Sequence, residues 1–332
     1  MRILSGIQPT GELHIGNWLG AVQNWVGLQD RHECFYAIVD YHAITLPYDP
    51  AEMPRMTEDM LVSLLAAGLD PDRCRIFLQS EVPEHAELAW VLMTLAPLGQ
   101  LERMTQFKDK AVAQGESVHA GLLMYPVLQA ADILLYKAER VPVGEDQVQH
   151  LELARTLARR FNNAFGETFP EPQPLLTETR RVLGLDGKTK MSKSRGNHIG
   201  ILEEPDSIRA RMATAFTDPQ RKRRSDPGRP EVCNVFSWHG FFSDPAIVEK
   251  VDRECRAADI GCYEDKMLLA DIVIETLRPM RERAAELRRH PEELRRVLDE
   301  GREAAGAVAA ETMAQVRAGM GLWQTSIRVP IG

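Results

Sequence analysis

The sequence predicts an α/β fold, a doubly wound parallel sheet followed by an all-helical region, and three observations carry that prediction. Strand-like and helix-like segments alternate through the first two hundred residues, the order of repeated βαβ units. Cys34–Val39 (CFYAIV) is a continuous apolar run, as a strand covered on both faces requires. From Glu203 onward the chain becomes rich in Ala, Arg, Glu and Leu and loses strand signals.

The elements follow in order. Arg2–Ile7 is a short apolar strand that ends in the turn-forming Gln8-Pro9-Thr10-Gly11. Asn17–Gln29 is a helix, with Leu19, Val22 and Val26 at helical spacing. Met53–Ala67 and Glu84–Ala96 are helices on either side of a strand at Arg75–Gln79. Residues 98–120 form an insertion with a polar, charged middle. Leu122–Tyr136 is an apolar helix, Arg140–Val143 a strand, and Gln147–Phe165 a long amphipathic helix. Beyond residue 200 the longest helical patterns are Ala270–Glu286 and Glu292–Val316, separated by His290-Pro291. The expected division is a unit of residues 1–200, including the insertion, and a helical domain of 201–332, with no internal repeat.

Composition narrows the function classes. Of the 332 residues, 44% are apolar and 27% charged, which supports a sizeable core and excludes a disordered or collagen-like chain. Forty Lys plus Arg against 48 Asp plus Glu give a net charge of −8, unlike a non-specific polyanion binder. A local basic face remains compatible with that total. No run of 18 apolar residues is present, so no membrane partner is expected. The N-terminal MRILSGIQPTG lacks a signal-peptide core, and five cysteines do not make a disulfide framework. The expectation is a soluble cytoplasmic protein.

Two motifs carry chemistry. Gln8–Asn17 (QPTGELHIGN) follows the first strand and opens the first helix, where α/β sheets bind ligands and helix N-termini attract phosphate. Gly16 would let a nucleotide base approach the backbone, and His14 and Asn17 could donate to phosphate or ribose. The plainer alternative is a helix cap with a solvent-facing histidine. Lys190-Met191-Ser192-Lys193-Ser194, with Gly187 before it and Gly196 after, supplies two lysines and two hydroxyls to a loop. Such a loop can clamp polyphosphate, because lysine is a compact charge that follows moving oxygens.

With HIGN and KMSKS in this order, the sequence resembles the class I aminoacyl-tRNA synthetases. SGIQPTG, DYHAIT, QSEVPEHA, LERMTQFK, AADILLY, VPVGEDQ, QHLELAR and IETLRP extend the resemblance to the bacterial tryptophanyl-tRNA synthetases, from Ser5 to Pro279. The family likeness implies a Rossmann-type catalytic domain and a helical anticodon-binding domain. It implies ATP, Mg²⁺, L-tryptophan and tRNA(Trp) as ligands, and a homodimer joined through the insertion and the neighbouring surface of the catalytic domain. Gln8, Pro9, Thr10, Gly16 and Asn17 match the first ATP-contacting segment, Gly144, Glu145 and Asp146 the ribose segment, and Val182 the neighbour of adenine. Lys190, Met191, Ser192, Lys193 and Ser194 match the mobile loop. Lys110, Lys190 and Lys193 match the residues that stabilise the leaving pyrophosphate together with Mg²⁺.

The amino-acid pocket rests partly on physics. Asp132 sits in an otherwise apolar helix, where a carboxylate is costly without a partner. Indole offers one N–H donor and no acceptor, so a buried carboxylate suits it, and Asp132 matches the family residue in that role. The alternative is an Asp bonded to a nearby amide or Arg. Tyr125, Gln147 and His42 match other pocket positions, while Leu4 and Gln129 depart from the Phe and Met frequent in the family. Two other classes stay open: a tyrosyl enzyme of the same architecture, and a synthetase-like paralogue that has lost catalysis.

Other residues have plainer readings. Arg221–Arg224 could contact tRNA phosphates or form a solvated loop. Trp90 and Trp238 read as packing residues, and His85, His150 and His239 as structural. Cys233, Cys255 and Cys262, with Asp265 three positions on, resemble a four-Cys iron–sulfur pattern of some tryptophanyl enzymes, with Asp in the last place and the first gap one residue short. A cluster or zinc at these residues stands against a metal-free remnant packed as ordinary core.

Overall fold

The computed structural model describes residues 1–105, 107–108, 119–144, 147–176 and 182–322. Five parallel strands form one sheet: β1 (Arg2–Ile7), β2 (Glu33–Ile38), β3 (Cys74–Leu78), β4 (Arg140–Val143) and β5 (Gln173–Leu176). Their spatial order is β3-β2-β1-β4-β5. The chain therefore winds outward from β1 in one direction and then returns to build the other half. This reversal leaves a crevice at the carboxyl ends of β1 and β4, where such sheets bind ligands.

Four strands lie where periodicity places them, to within a residue at each end. β5 is the one that the sequence reading missed. Pro172 and Pro174 mask it, since proline cannot donate to a ladder, and an edge strand tolerates what a central strand would not. Pro174 pairs with Val141 on the single neighbouring strand.

Alternation along the strands sorts side chains to two cores. Ile3, Tyr36 and Ile76 face one core, with α4 (Met53–Ala66) packed on it. Leu4, Phe35 and Phe77 face the other, under α5 (Glu84–Met93), α7 (Ala120–Leu135) and α8 (Val148–Phe165). The helices α1 (Ile15–Asn17) and α2 (Gln23–Leu28) are joined by a π-helical turn at Trp18–Val22. Such turns are frequent beside functional sites. Tyr36 stacks on Trp25 at 4.8 Å and donates its hydroxyl to that residue's carbonyl at 3.0 Å, so this large buried ring leaves no polar atom unpaired. Short helices α3 (Asp40–Ala43) and α6 (Leu98–Glu102) complete this half.

After residue 200 come α9 (Pro205–Ala213), α10 (Asn234–Phe242), α11 (Pro245–Ala257), α12 (Cys262–Leu287) and α13 (Pro291–Gly319). α12 begins eight residues before the expected Ala270. The Glu264 carboxylate reaches back to the Gly261 N–H at 2.6 Å and starts the helix there. Pro291 opens α13 at the position where its missing N–H costs nothing. α13 does not stay with the helical region: Ala305, Ala309, Met313 and Val316 join the second core of the sheet. Gly301 makes that crossing feasible, because any β-carbon there would overlap the Ile76 carbonyl of β3.

Trp238 is buried and donates Nε1–H to the Leu183 carbonyl at 3.2 Å. Trp90 is 70% exposed, which overturns its reading as a packing residue within this chain. Among the described residues no helix is long and apolar enough to cross a membrane.

Candidate active site

A cavity of about 540 Å³ opens at the crevice between β1 and β4. Leu4, Ala37, Val39, Val141 and Val143 give it apolar walls from the strand ends, and α7 contributes Tyr125, Gln129 and Asp132 from one helix face. Gln8, His42 and Gln147 add polar groups. Five residues proposed from the sequence (Gln8, His42, Tyr125, Asp132 and Gln147) thus meet in one cavity, as do Leu4 and Gln129.

Asp132 is 4% exposed and accepts from three side chains. His42 Nε2 lies 2.7 Å from Oδ2, while Gln79 Nε2 and His85 Nδ1 both lie 2.7 Å from Oδ1. Burial alone would raise its pKa. The attraction and hydrogen bond of His42, then those of His85, outweigh it and hold the carboxyl well below the ordinary carboxylate range. The result is a charged, acceptor-only group in an apolar cavity. Tyr125 stands beside it with its phenol pushed up to about 12 by burial, and His150 Nε2 is 3.1 Å from the Tyr125 hydroxyl.

Two histidines read as structural therefore support the site from behind. Gln79 and His85 were not legible as site residues, because they lie 53 and 47 positions from Asp132 and only the fold brings them together. The one available signal was the run of polar residues directly after β3, at the carboxyl edge of the sheet.

The phosphate side is built from the two motifs. Lys193 Nζ donates to the Thr10 carbonyl at 2.7 Å, so the lysine loop rests on the QPTG turn. The Gly16 N–H meets Met191 Sδ at 3.3 Å, and a β-carbon at Gly16 would sit 3.1 Å from the His14 ring and 3.2 Å from Met191. Val182 is buried, and its carbonyl accepts from the Met191 N–H at 3.5 Å. Pro9 is buried in the turn, the Ser192 and Ser194 hydroxyls lie 2.9 Å apart, and the Gly144 carbonyl accepts from the Gln147 N–H at 3.0 Å. Lys110, Glu145 and Asp146 lie outside the described residues.

Asn197 and Asp186 organise the loop and were not singled out from sequence. Asn197 accepts from the Ser192 N–H at 2.8 Å and donates to Asp186 at 3.0 Å. His14 caps α1 by accepting from the Asn17 N–H at Nδ1, 3.1 Å away, as the plainer alternative had it, but it is buried rather than solvent-facing. Burial, followed by the charges of His198, Lys193 and Lys190, lowers its pKa to about 4. A neutral imidazole whose Nδ1 accepts keeps its proton on Nε2, available to an anion. Burial also lowers the pKa of Lys193, against the pull of Glu12 and Asp59.

Of the two readings of the cysteines, the cluster or zinc finds no support among the described residues. Asp265 accepts from His239 Nε2 at 3.1 Å, and Arg221 Nη1 lies 3.7 Å from Cys255 Sγ. Burial pushes the Cys233 thiol up to about 11 and raises that of Cys255. Among the described residues no three His, Cys, Asp or Glu side chains are arranged to hold a metal. Cys233, Cys255, Cys262 and Asp265 do not fit a cluster or zinc.

A five-stranded parallel sheet with its cavity at the reversal point, flanked by HIGN and KMSKS, defines the class I aminoacyl-tRNA synthetases. The family described as tRNA synthetases class I (W and Y) matches residues 1–278. A tryptophan–tRNA ligase of Deinococcus radiodurans is 51% identical over 96% of this chain and 98% of its own, and one of Parasynechococcus marenigrum 48% identical over 98% and 99%. The crystal structure of Campylobacter jejuni tryptophanyl-tRNA synthetase complexed with ADP and tryptophan superposes with a TM-score of 0.90 at 37% identity, over 97% of this chain and all of that one. The chain belongs to this class I family, in its tryptophan branch.

Proposed function

We infer that this chain activates L-tryptophan with ATP and transfers it to tRNA(Trp), as a tryptophan–tRNA ligase. The observation that supports this best is Asp132, a buried charged acceptor in an apolar cavity beside the two nucleotide motifs. Indole N–H is the donor that such a group suits.

The first step is an in-line displacement. The tryptophan carboxylate attacks the α-phosphorus of ATP, the bond to the bridging oxygen breaks, and pyrophosphate leaves with that oxygen. The substrate is its own nucleophile, so no Ser or Cys need be activated. The protein orients two anions and stabilises charge on the leaving group. Gln8, Pro9, Thr10, Gly16 and Asn17 would hold ATP, Gly144, Glu145 and Asp146 the ribose, and Val182 the adenine. Lys190 and Lys193, on the loop with Met191, Ser192 and Ser194, would follow the phosphates together with Lys110. ATP would enter as its Mg²⁺ complex, the ion sharing the charge of the leaving pyrophosphate with Lys110, Lys190 and Lys193. Tyr125 and Gln147 would face the tryptophan amino group, with His42 beside Asp132. In the second step the terminal ribose hydroxyl of tRNA attacks the adenylate carbonyl and AMP departs.

Residues 1–200 would form the catalytic domain and 201–332 the domain that reads the anticodon. Arg221, Lys222, Arg223 and Arg224 line a second concavity with exposed Tyr263, a combination of cations and an aromatic face that suits unpaired RNA. Exposed Trp90 and Leu98, beside the 98–120 insertion, suit a homodimer interface. Charging would take place in the cytoplasm.

Labelled tryptophan, ATP and tRNA(Trp) test the whole reading. Acid-precipitable label that requires both ATP and this tRNA is expected. Absence of label with tRNA(Trp), or equal label with tRNA for another amino acid, overturns it.

A further inference from the structure

We propose that Gln79, His85 and Tyr136, none of which lines the amino-acid cavity, are positioning residues that fix Asp132 so that one acceptor site on Oδ2 stays open to the substrate. The inference rests on the reading of Asp132 as the group that accepts the indole N–H.

An ionised carboxylate offers about four acceptor sites, two on each oxygen. Gln79 Nε2 and His85 Nδ1, each at 2.7 Å, fill both sites on Oδ1. His42 Nε2, also at 2.7 Å, fills one on Oδ2. One site remains. It belongs to the oxygen shared with His42, and Asp132 and His42 both line the cavity.

Each partner is itself held in a single orientation. The Gln79 amide could be turned either way about its last bond, but its Oε1 accepts the Tyr41 N–H at 3.2 Å, so Nε2 must point to Asp132. His85 lies 2.9 Å from the Tyr136 hydroxyl through Nε2. A carboxylate can only accept, so His85 Nδ1 carries a proton and donates it to Asp132. The Tyr136 phenol is buried, which raises its pKa and keeps its proton available for that bond. Phenol and carboxylate thus grip the two ring nitrogens from opposite sides and fix the orientation of the imidazole. Phe77, 5.9 Å from the His85 ring centroid and tilted by 29°, stacks on the imidazole and restrains its plane.

Without the Gln79 amide, Oδ1 gains a vacant acceptor site, and without the Tyr136 hydroxyl, His85 loses the contact that orients it; either way the carboxylate is held less firmly. The indole N–H then no longer meets a unique, oriented acceptor. Ring burial in the cavity is unaffected, so what falls is the reading of the N–H rather than binding as a whole.

That distinction supplies the test. β-(3-Benzothienyl)alanine replaces the indole N–H with sulfur at nearly the same shape. Its kcat/KM in ATP–pyrophosphate exchange, compared with that of tryptophan, measures the N–H contact alone. Tyr136→Phe removes one hydroxyl, and Gln79→Met keeps the side-chain length while removing the amide. Both preserve packing, and either is sufficient. The preference for tryptophan over the sulfur analogue should fall about tenfold or more in each, with the KM for ATP unchanged. A merely structural role lowers both substrates together, and a preference within about twofold of wild type in either folded variant overturns the proposal. Asp132→Asn separates the two levels. If it leaves the preference unmoved, the reading of Asp132 fails. If it moves the preference while Gln79→Met and Tyr136→Phe do not, only the positioning inference fails.

Discussion

The two walls of the active site are held by different kinds of bond. On the amino-acid side, Asp132 is surrounded by buried side chains that lie 47 to 90 residues away in sequence, His42, Gln79 and His85, with Tyr136 from the end of its own helix behind His85. On the phosphate side, the 186–198 loop is held chiefly by its own turn bonds, among Asp186, Thr189, Ser192 and Asn197, and touches the first motif through Lys193–Thr10 and Met191–Gly16. A wall of long-range buried bonds cannot move without breaking several at once, whereas a loop of local bonds moves as one piece. Recognition of an amino acid side chain needs the first property. Following a triphosphate whose charge shifts during reaction needs the second.

The largest expected effect belongs to the mobile wall. Lys193→Ala should slow single-turnover adenylate formation by about two to three decades, the cost of one preorganised charge donor, and should leave tryptophan affinity nearly unchanged. A rate within about threefold of wild type breaks the comparison at its phosphate side.

Asp132→Asn should give the reverse pattern. It keeps the shape and one oxygen but loses the charge and adds an amide donor. Tryptophan kcat/KM should fall by roughly one to three decades, and discrimination against tyrosine and phenylalanine should narrow. Exchange measured with all three amino acids decides the point, and unchanged selectivity moves Asp132 to a structural role.

A third difference lies in acid stability. His14 has a folded pKa of about 4 against an ordinary 6.5. Below pH 6.5 the unfolded chain takes up a proton there that the folded chain refuses until about pH 4. The stability due to neutral His14 is full above pH 6.5 and is lost as pH falls through that window, by up to roughly 3 kcal/mol. Urea unfolding of wild type and His14→Gln at intervals from pH 7 to 4 should show the wild type losing more. Parallel curves contradict the buried neutral histidine.

The smallest effect is expected farthest from both walls. Asp265 and His239 repeat the buried carboxylate–histidine pair of Asp132 and His42, yet they line no substrate cavity and sit among thiols raised by burial. Cys262→Ser should leave tryptophan activation within about twofold, since no catalytic group touches it. Anaerobically purified protein should contain iron and zinc well below one atom per chain. Stoichiometric iron with broad absorption near 400 nm (a range typical of iron–sulfur clusters) would contradict the geometry at Asp265.

These regions also mark what a sequence can disclose. Periodicity and turn residues place β1 to β4 and the helices around them, because those signals are local. β5 escapes because Pro174 reads as a strand breaker until its edge position is known. HIGN, KMSKS and the isolated charge of Asp132 are visible because they are odd in their local context. Gln79, His85 and His150 are not, since their role comes from elements that meet only in the folded chain. The same limit leaves two readings open at the cysteines, since the partner of Asp265, His239, lies 26 residues away.

The central claim is that the buried wall selects tryptophan while the loop drives its activation. ATP–pyrophosphate exchange by the wild-type chain, dependent on added amino acid, tests it most directly. The account predicts exchange with tryptophan at a kcat/KM at least about two decades above that with tyrosine. No exchange with tryptophan, or equal exchange with tyrosine, contradicts it.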